Sequence, residues 1–141
     1  MRRPLDGSYE LDDDPDRVDI DALVAFLTTS AYWGRWRGRT DIEAQLAASW
    51  RVVGLYAGEE MVGFARALSD GVAFAYLADV YVDPDHRGGG RGTALVRELV
   101  EGNGADRFRW MLHTKDAHGL YTKLGFAAPG PDAMERPAPN R

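Results

Sequence analysis

The chain of 141 residues contains no cysteine. That excludes a disulfide framework, a thiolate metal centre and a cysteine nucleophile. Long hydrophobic runs are missing too. The longest uncharged stretch, Ala22 to Gly34, holds 13 residues and includes Thr28, Thr29 and Ser30. A membrane-spanning helix needs about 20 apolar residues, so no membrane association is expected. The basic start Met1-Arg2-Arg3-Pro4 runs into Asp6 and Glu10 instead of an apolar segment. No signal peptide is read there, and the expected location is cytoplasmic. Histidine is scarce: His86, His113 and His118 lack the spacing of a metal motif, so no metal is expected. Positive charge is in deficit. Seventeen Lys and Arg against twenty-two Asp and Glu give a net charge of −5, which argues against nucleic acid as a partner.

What remains fits one globular domain over residues 1–141, with 45% hydrophobic and 28% charged residues and no internal repeat. Pro129-Gly130-Pro131 and Pro137-Ala138-Pro139 mark residues 129–141 as a short terminal strand or tail. Tyr9 to Leu11 reads as a first strand. Ile20, Leu23, Val24 and Leu27 recur at helical spacing. Thr40-Asp41-Ile42-Glu43 has the form of a capping box and starts a second helix, with Ile42, Leu46 and Trp50 inward. A meander follows: Arg51 to Ala57, Met61 to Ser69, and Val72 to Val82, with Asp70-Gly71 as a two-residue hairpin turn. A helix from Gly90 to Glu101 buries Leu95, Val96, Leu99 and Val100 and turns Arg97, Glu98 and Glu101 outward. Phe108 to His113 is a strand, Ala117 to Leu124 a short helix, and Phe126 to Ala128 and Met134 to Arg136 are final edge strands. The order implies an α/β (α+β) fold with a mixed sheet and a right-handed crossover.

The most informative segment runs from Val80 to Leu95. A strand ends, Pro84 stops its ladder, and Gly88, Gly89, Gly90 and Gly92 precede a helix. Glycines let backbone N–H groups approach a ligand without a Cβ in the way. Helix N-termini carry unpaired N–H donors and partial positive charge. Together these make a phosphate site, with Arg87 and Arg91 adding charge of the right sign. The Walker pattern is absent. The Rossmann pattern fails as well, because Gly88-x-Gly90 is followed by Thr93 and Gly90-x-Gly92 by Leu95.

Arg87-x-x-Gly90-x-Gly92 after Val80-Tyr81-Val82-Asp83-Pro84 resembles the R/Q-x-x-G-x-G/A motif of the GCN5-related N-acetyltransferases (GNAT). Ala117-x-x-x-Tyr121-x-Lys123-Leu124-Gly125-Phe126 is similar to that family's closing motif. The resemblance covers the whole chain. It implies a sheet splayed between the fourth and fifth strands, about four flanking helices, and acetyl transfer from acetyl-CoA to a primary amine. The pyrophosphate would sit on amides of Arg87, Gly88, Gly89, Gly90, Arg91, Gly92 and Thr93. Pantetheine would lie along Val80, Tyr81 and Val82, with Thr114 where many members have a pantetheine-contacting Asn and Ala117 also among the cofactor-binding residues. Tyr121 takes the general-acid position and protonates the leaving thiolate.

Asp79 is the odd residue of an apolar strand, and a buried carboxylate is costly unless paired. It is read as an anchor or base for the amine, with a structural ion pair to Arg66 as the rival. A two-residue turn would set Arg66 opposite Ala75, about 13 Å from Asp79, unless a bulge changes the register. His118, one turn before Tyr121, is expected on the surface. The loop Tyr32 to Arg39 is expected to wall the acceptor pocket, its arginines suiting an anionic group on the acceptor or the CoA 3′-phosphate. The acceptor is a small molecule or a peptide, and a homodimer is in keeping with the family. The rival reading is an acyl-CoA sensor without chemistry, since phosphate binding does not need catalysis.

Overall fold

A computed structural model describes residues 1–31 and 35–139. Among these residues six strands form one sheet in the order β1 (Arg2–Pro4), β2 (Tyr9–Asp12), β3 (Arg51–Ala57), β4 (Glu60–Ser69), β5 (Phe74–Val82) and β6 (Arg109–Met111). Neighbours are antiparallel except β5 and β6, which are parallel. Among the described residues four α-helices flank it: α1 (Ile20–Thr29), α2 (Arg39–Ala48), α3 (Arg91–Glu101) and α4 (His118–Thr122). The mixed, splayed sheet with four helices is the expected architecture. Because β1 precedes the expected first strand, the fourth and fifth strands of the sequence reading are β5 and β6. No helix among the described residues is long and apolar enough to cross a membrane.

Alternation along the strands splits the core in two. Val53, Leu55, Val62, Ala65 and Leu77 pack with Leu95, Val96, Leu99 and Val100 of α3. On the other face Val52, Tyr56, Phe64 and Tyr81 pack with Leu23 and Leu27 of α1 and Ile42 of α2. Asp19 caps α1 by accepting from Ala22 N–H at 3.1 Å. The cap of α2 lies earlier than the T-x-x-E pattern implies. Gly38 is the N-cap, and its N–H donates to the Asp41 carboxylate at 2.9 Å. Trp50 lies beyond the end of α2, its ring edge-on to Phe108.

Three elements depart from the sequence pattern. β1 leaves no sequence signal because its three residues are all exposed, so no apolar alternation marks it. It is held by its antiparallel ladder to β2, with Arg2 paired to Glu10 and Arg3 to Glu98 at the surface. Glu98 is not outward but buried, where its carboxylate and backbone carbonyl accept from Arg51 at 3.0 and 2.9 Å. Phe126–Ala128 and Met134–Arg136 form no strands; residues 127–138 are irregular and outside the sheet.

The β4–β5 turn is longer than Asp70-Gly71 implies. Ser69 pairs with Ala75, not Val72. One Asp70 carboxylate oxygen accepts from the N–H groups of Val72, Ala73 and Phe74 at 2.8, 2.9 and 3.3 Å. That side-chain turn competes with the tight hairpin and wins.

Candidate active site

β5 and β6 pair only from Phe74–Arg109 to Tyr76–Met111, then part. A cleft of about 1130 Å³ opens between Leu77–Val82 on one side and Leu112–Asp116 with α4 on the other. The glycine turn and residues of the α1–α2 side, Phe26, Trp36 and Arg37, also line it.

The glycine turn has an unusual backbone. Gly88, Gly89 and Gly90 take φ of 98°, 64° and 75° in succession. Few side-chain-bearing residues adopt one such value, let alone three. Gly90 is the N-cap of α3, so the glycine turn leads directly into the first-turn amides of that helix. Nothing lies within 4 Å of a Cβ built on Gly88 or Gly90, so this space is open. Arg87 braces the turn by donating from Nε to the Val82 carbonyl at 2.9 Å. Arg91 turns its guanidinium to Asp6 at 3.1 Å and stacks it 3.9 Å over Tyr9. The residues present fit a diphosphate held by main-chain N–H groups.

Of the expected cofactor-contacting residues, Val80, Tyr81, Val82, Arg87, Gly88, Gly90, Arg91, Gly92, Thr93, Thr114 and Ala117 line the cleft, and Gly89 does not. Thr114 uses its hydroxyl to accept from Ala117 N–H at 3.0 Å, which starts α4. Tyr121 and Asp79 line the same cleft. Tyr121 is buried, edge-on to Phe126. His118 is exposed at the start of α4.

Asp79 sits on a bulge. Phe64 pairs with Tyr81 but Arg66 with Ala78, so Asp79 and Val80 together oppose Ala65. Asp79 takes φ 53°, a left-handed value that Asp tolerates. The longer turn and the bulge together remove the separation expected for a tight hairpin. Arg66 Nε now donates to Asp79 at 2.7 Å. Arg37 adds a two-pronged contact at 2.7 and 2.8 Å and also donates to Gln45. All three charged groups are at most 6% exposed. Burial pushes the Asp79 carboxyl up, but hydrogen bonds and charge from Arg37 and Arg66 outweigh it and hold it below its ordinary value. A carboxylate so engaged is a poor proton acceptor at neutral pH.

The Tyr32–Arg39 loop divides. Tyr32, Trp33 and Gly34 lie outside the described residues. Trp36 lines the cleft, Arg37 is buried on Asp79, and Arg39 makes surface pairs with Asp21 and Glu43. Phe26 of α1 stacks on Tyr81 with ring centroids 3.9 Å apart, giving the cleft an apolar wall. Burial raises the Tyr81 phenol far above its usual range, so that hydroxyl stays protonated. A further group has no counterpart in the sequence reading. Tyr76 and His113, both lining the cleft, share a hydrogen bond at 2.5 Å, and His113 also pairs with Glu135 of the tail. Their separation along the chain leaves no local signal.

Sequence comparison places the acetyltransferase (GNAT) domain profile on residues 48–128, more than half of the chain. The chain belongs to the GNAT acetyltransferase family. A Gibberella zeae protein named as an acetyltransferase is 34% identical over 115 residues, covering 67% of this chain and 64% of its own length. The match thus spans less than two thirds of that relative. An Oryza sativa subsp. japonica protein named serotonin N-acetyltransferase 2, chloroplastic, is 40% identical over 76 residues, covering 52% of this chain and 37% of its own. A crystal structure from Xanthomonas campestris pv. campestris, described as belonging to the GNAT family, superposes with a TM-score of 0.87 at 31% identity, over 97% of this chain and 96% of that one. GNAT enzymes use acetyl-CoA as co-substrate, and in this chain the open glycine turn lies on the cleft between β5 and β6.

Proposed function

We propose that the chain is an acetyl-CoA-dependent N-acetyltransferase that acts directly on a primary amine of a small molecule or peptide. The observation that carries this reading is the cleft itself. It joins a main-chain anion cradle, a parted strand edge and a buried tyrosine in one continuous space. The amides of Gly88 to Thr93 hold the diphosphate, and the edge of Val80 to Val82 receives the amide-bearing arm. Acetyl-CoA supplies the activated acyl group.

Tyr121 serves as the proton donor to the leaving sulfur, since its phenol lies in the cleft and can give up a proton as the thiolate departs. Asp79 does not take the amine's proton, because two guanidiniums occupy its lone pairs. It fixes Arg37 and Arg66 at the acceptor end. Tyr76, His113 and Glu135 form a chain of titratable groups from cleft to solvent, and that chain is the exit for the proton the amine sheds. Holding both substrates in line supplies much of the rate.

The test is free-thiol release from acetyl-CoA with a panel of amines. Amine-dependent release is expected, with Tyr121→Phe lowering kcat at least about tenfold while CoA affinity stays within about twofold. CoA binding with no release for any amine would instead favour the sensor reading.

A further inference from the structure

The acceptor end of the cleft holds two buried guanidiniums on one carboxylate. Arg37 and Arg66 share one carboxylate, Asp79, and Arg37 also donates to the neutral Gln45. Two guanidiniums on one carboxylate leave a formal charge of +1 in a place almost closed to water.

The two arginines differ in how far they are used up. Arg37 spends both terminal nitrogens on Asp79 and Gln45. Arg66 engages Asp79 through Nε alone, and no hydrogen bond among the described residues takes its Nη1 or Nη2. Neither nitrogen is sealed off: among the described residues, the buried side-chain polar atoms without a partner are the Tyr56 hydroxyl and Arg91 Nε. Arg66 lines the cleft. A guanidinium more than nine-tenths buried and pinned at one edge therefore keeps its outer fork for the cleft. That fork matches a carboxylate with two parallel N–H···O bonds.

Resting on the acetyltransferase reading, we propose that Arg66 anchors a carboxylate of the acceptor, so the substrates are amino-acid-like molecules carrying one reacting amine and one carboxylate. A monoanion neutralises the +1 cluster. A phosphate dianion overshoots it and meets the Asp79 carboxylate behind the fork. The Phe26–Tyr81 stack offers the acceptor's apolar part a surface beside the anchor. Asp79 and Arg37 are positioning residues in this scheme, since they act through Arg66.

The experiment uses matched pairs that differ only in the carboxylate: 5-hydroxy-L-tryptophan and serotonin, L-phenylalanine and phenethylamine, L-lysine and cadaverine. Phosphoethanolamine against ethanolamine is the phosphate arm. CoA is titrated first by calorimetry. The pairs are then titrated into the CoA-saturated full chain, so the result does not depend on turnover. The carboxylate member should bind about tenfold tighter or better, as when a site built for hydrogen bonds meets an analogue lacking them. Arg66→Gln should reduce that preference to about twofold or less with CoA affinity kept, and Arg66→Lys should retain part of it. The same split should appear in KM for whichever amines turn over.

Pairs binding equally, no member binding at all, a preference that survives Arg66→Gln, or tighter binding of phosphoethanolamine would each overturn the proposal. Wild-type discrimination needs no variant, so a poorly folding Arg66→Gln does not rescue the idea. Failure to bind CoA would defeat the acetyltransferase reading alone. The pairs would then be titrated on the chain without CoA, where the carboxylate preference stands or falls by itself.

Discussion

Replacing Asp79 by Asn isolates the charge at the centre of the cleft. The substitution keeps the side-chain size, and Asn tolerates the left-handed φ of 53° found here. What is lost is one negative charge between two guanidiniums held at 2.7, 2.8 and 2.7 Å. Summing three hydrogen bonds would overstate the effect, because all three groups are solvated in the unfolded chain. The governing quantity is the cost of leaving buried cations unpaired, about 3–5 kcal/mol. The Asn carbonyl still accepts one hydrogen bond, which places the expected loss near the lower end, about 3 kcal/mol. For a domain of this size that corresponds to a fall in Tm of about 10 °C.

The same substitution has a pH signature. Burial alone would raise the Asp79 carboxyl, but the arginines hold it below its ordinary 3.8. The folded chain thus binds this proton less readily than the unfolded chain. Its stabilisation is complete above the unfolded pKa and lost as pH falls through the folded value. The stability gap between the parent and Asp79→Asn should therefore stay constant from about pH 8 to about pH 5 and close only in stronger acid. Thermal and urea unfolding followed by circular dichroism measure it. A Tm within about 2 °C of the parent, or a gap that closes near about pH 6, would refute the ion cluster as drawn.

Other expected outcomes are simpler. Tyr56 is 1% exposed, its hydroxyl has no hydrogen-bond partner among the described residues, and burial pushes its phenol up to about 12. Tyr56→Phe should raise stability by about 1 kcal/mol, read as the urea midpoint; a loss of stability would mean the hydroxyl has a partner in solution. Gly90→Ala meets no atom within 4 Å, so its penalty is conformational, about 1–2 kcal/mol, with weaker CoA binding by calorimetry. Gly92→Ala, in the first turn of α3 and 3.6 Å from Leu120, should stay within about 0.5 kcal/mol of the parent. Equal losses at both positions would sink the argument from φ.

The parts of the fold legible in the sequence were those with local causes. The helical spacing of Leu95, Val96, Leu99 and Val100 buried the face it marked. The glycines before α3 gave a turn whose backbone suits few other residues. The misreadings at the β4–β5 turn and at Glu98 share one cause, a side chain acting on backbone or charge beyond its immediate neighbours. Asp70 captures three amides and lengthens a turn that Asp-Gly would have closed in two residues. Arg51 draws Glu98 inward from the face that its polarity predicts.

The acceptor end shows how such effects compound. Asp79 was visible as the wrong residue in an apolar strand, but its partners depended on register. The lengthened turn moves the partner of Arg66 from Ala75 to Ala78, and the bulge then brings Asp79 beside it. Without both shifts Arg66 would stand about 13 Å from that carboxylate, at the rise of an extended strand. Arg37 arrives from a loop 42 residues earlier in the chain, which no spacing rule connects to β5. The guanidinium pair proposed to select the acceptor is thus a product of register and tertiary packing. Single-residue changes at the Asp70 turn should for that reason alter acceptor choice, read as KM across the matched amine pairs. They should leave the glycine cradle, built from contiguous residues, able to bind CoA.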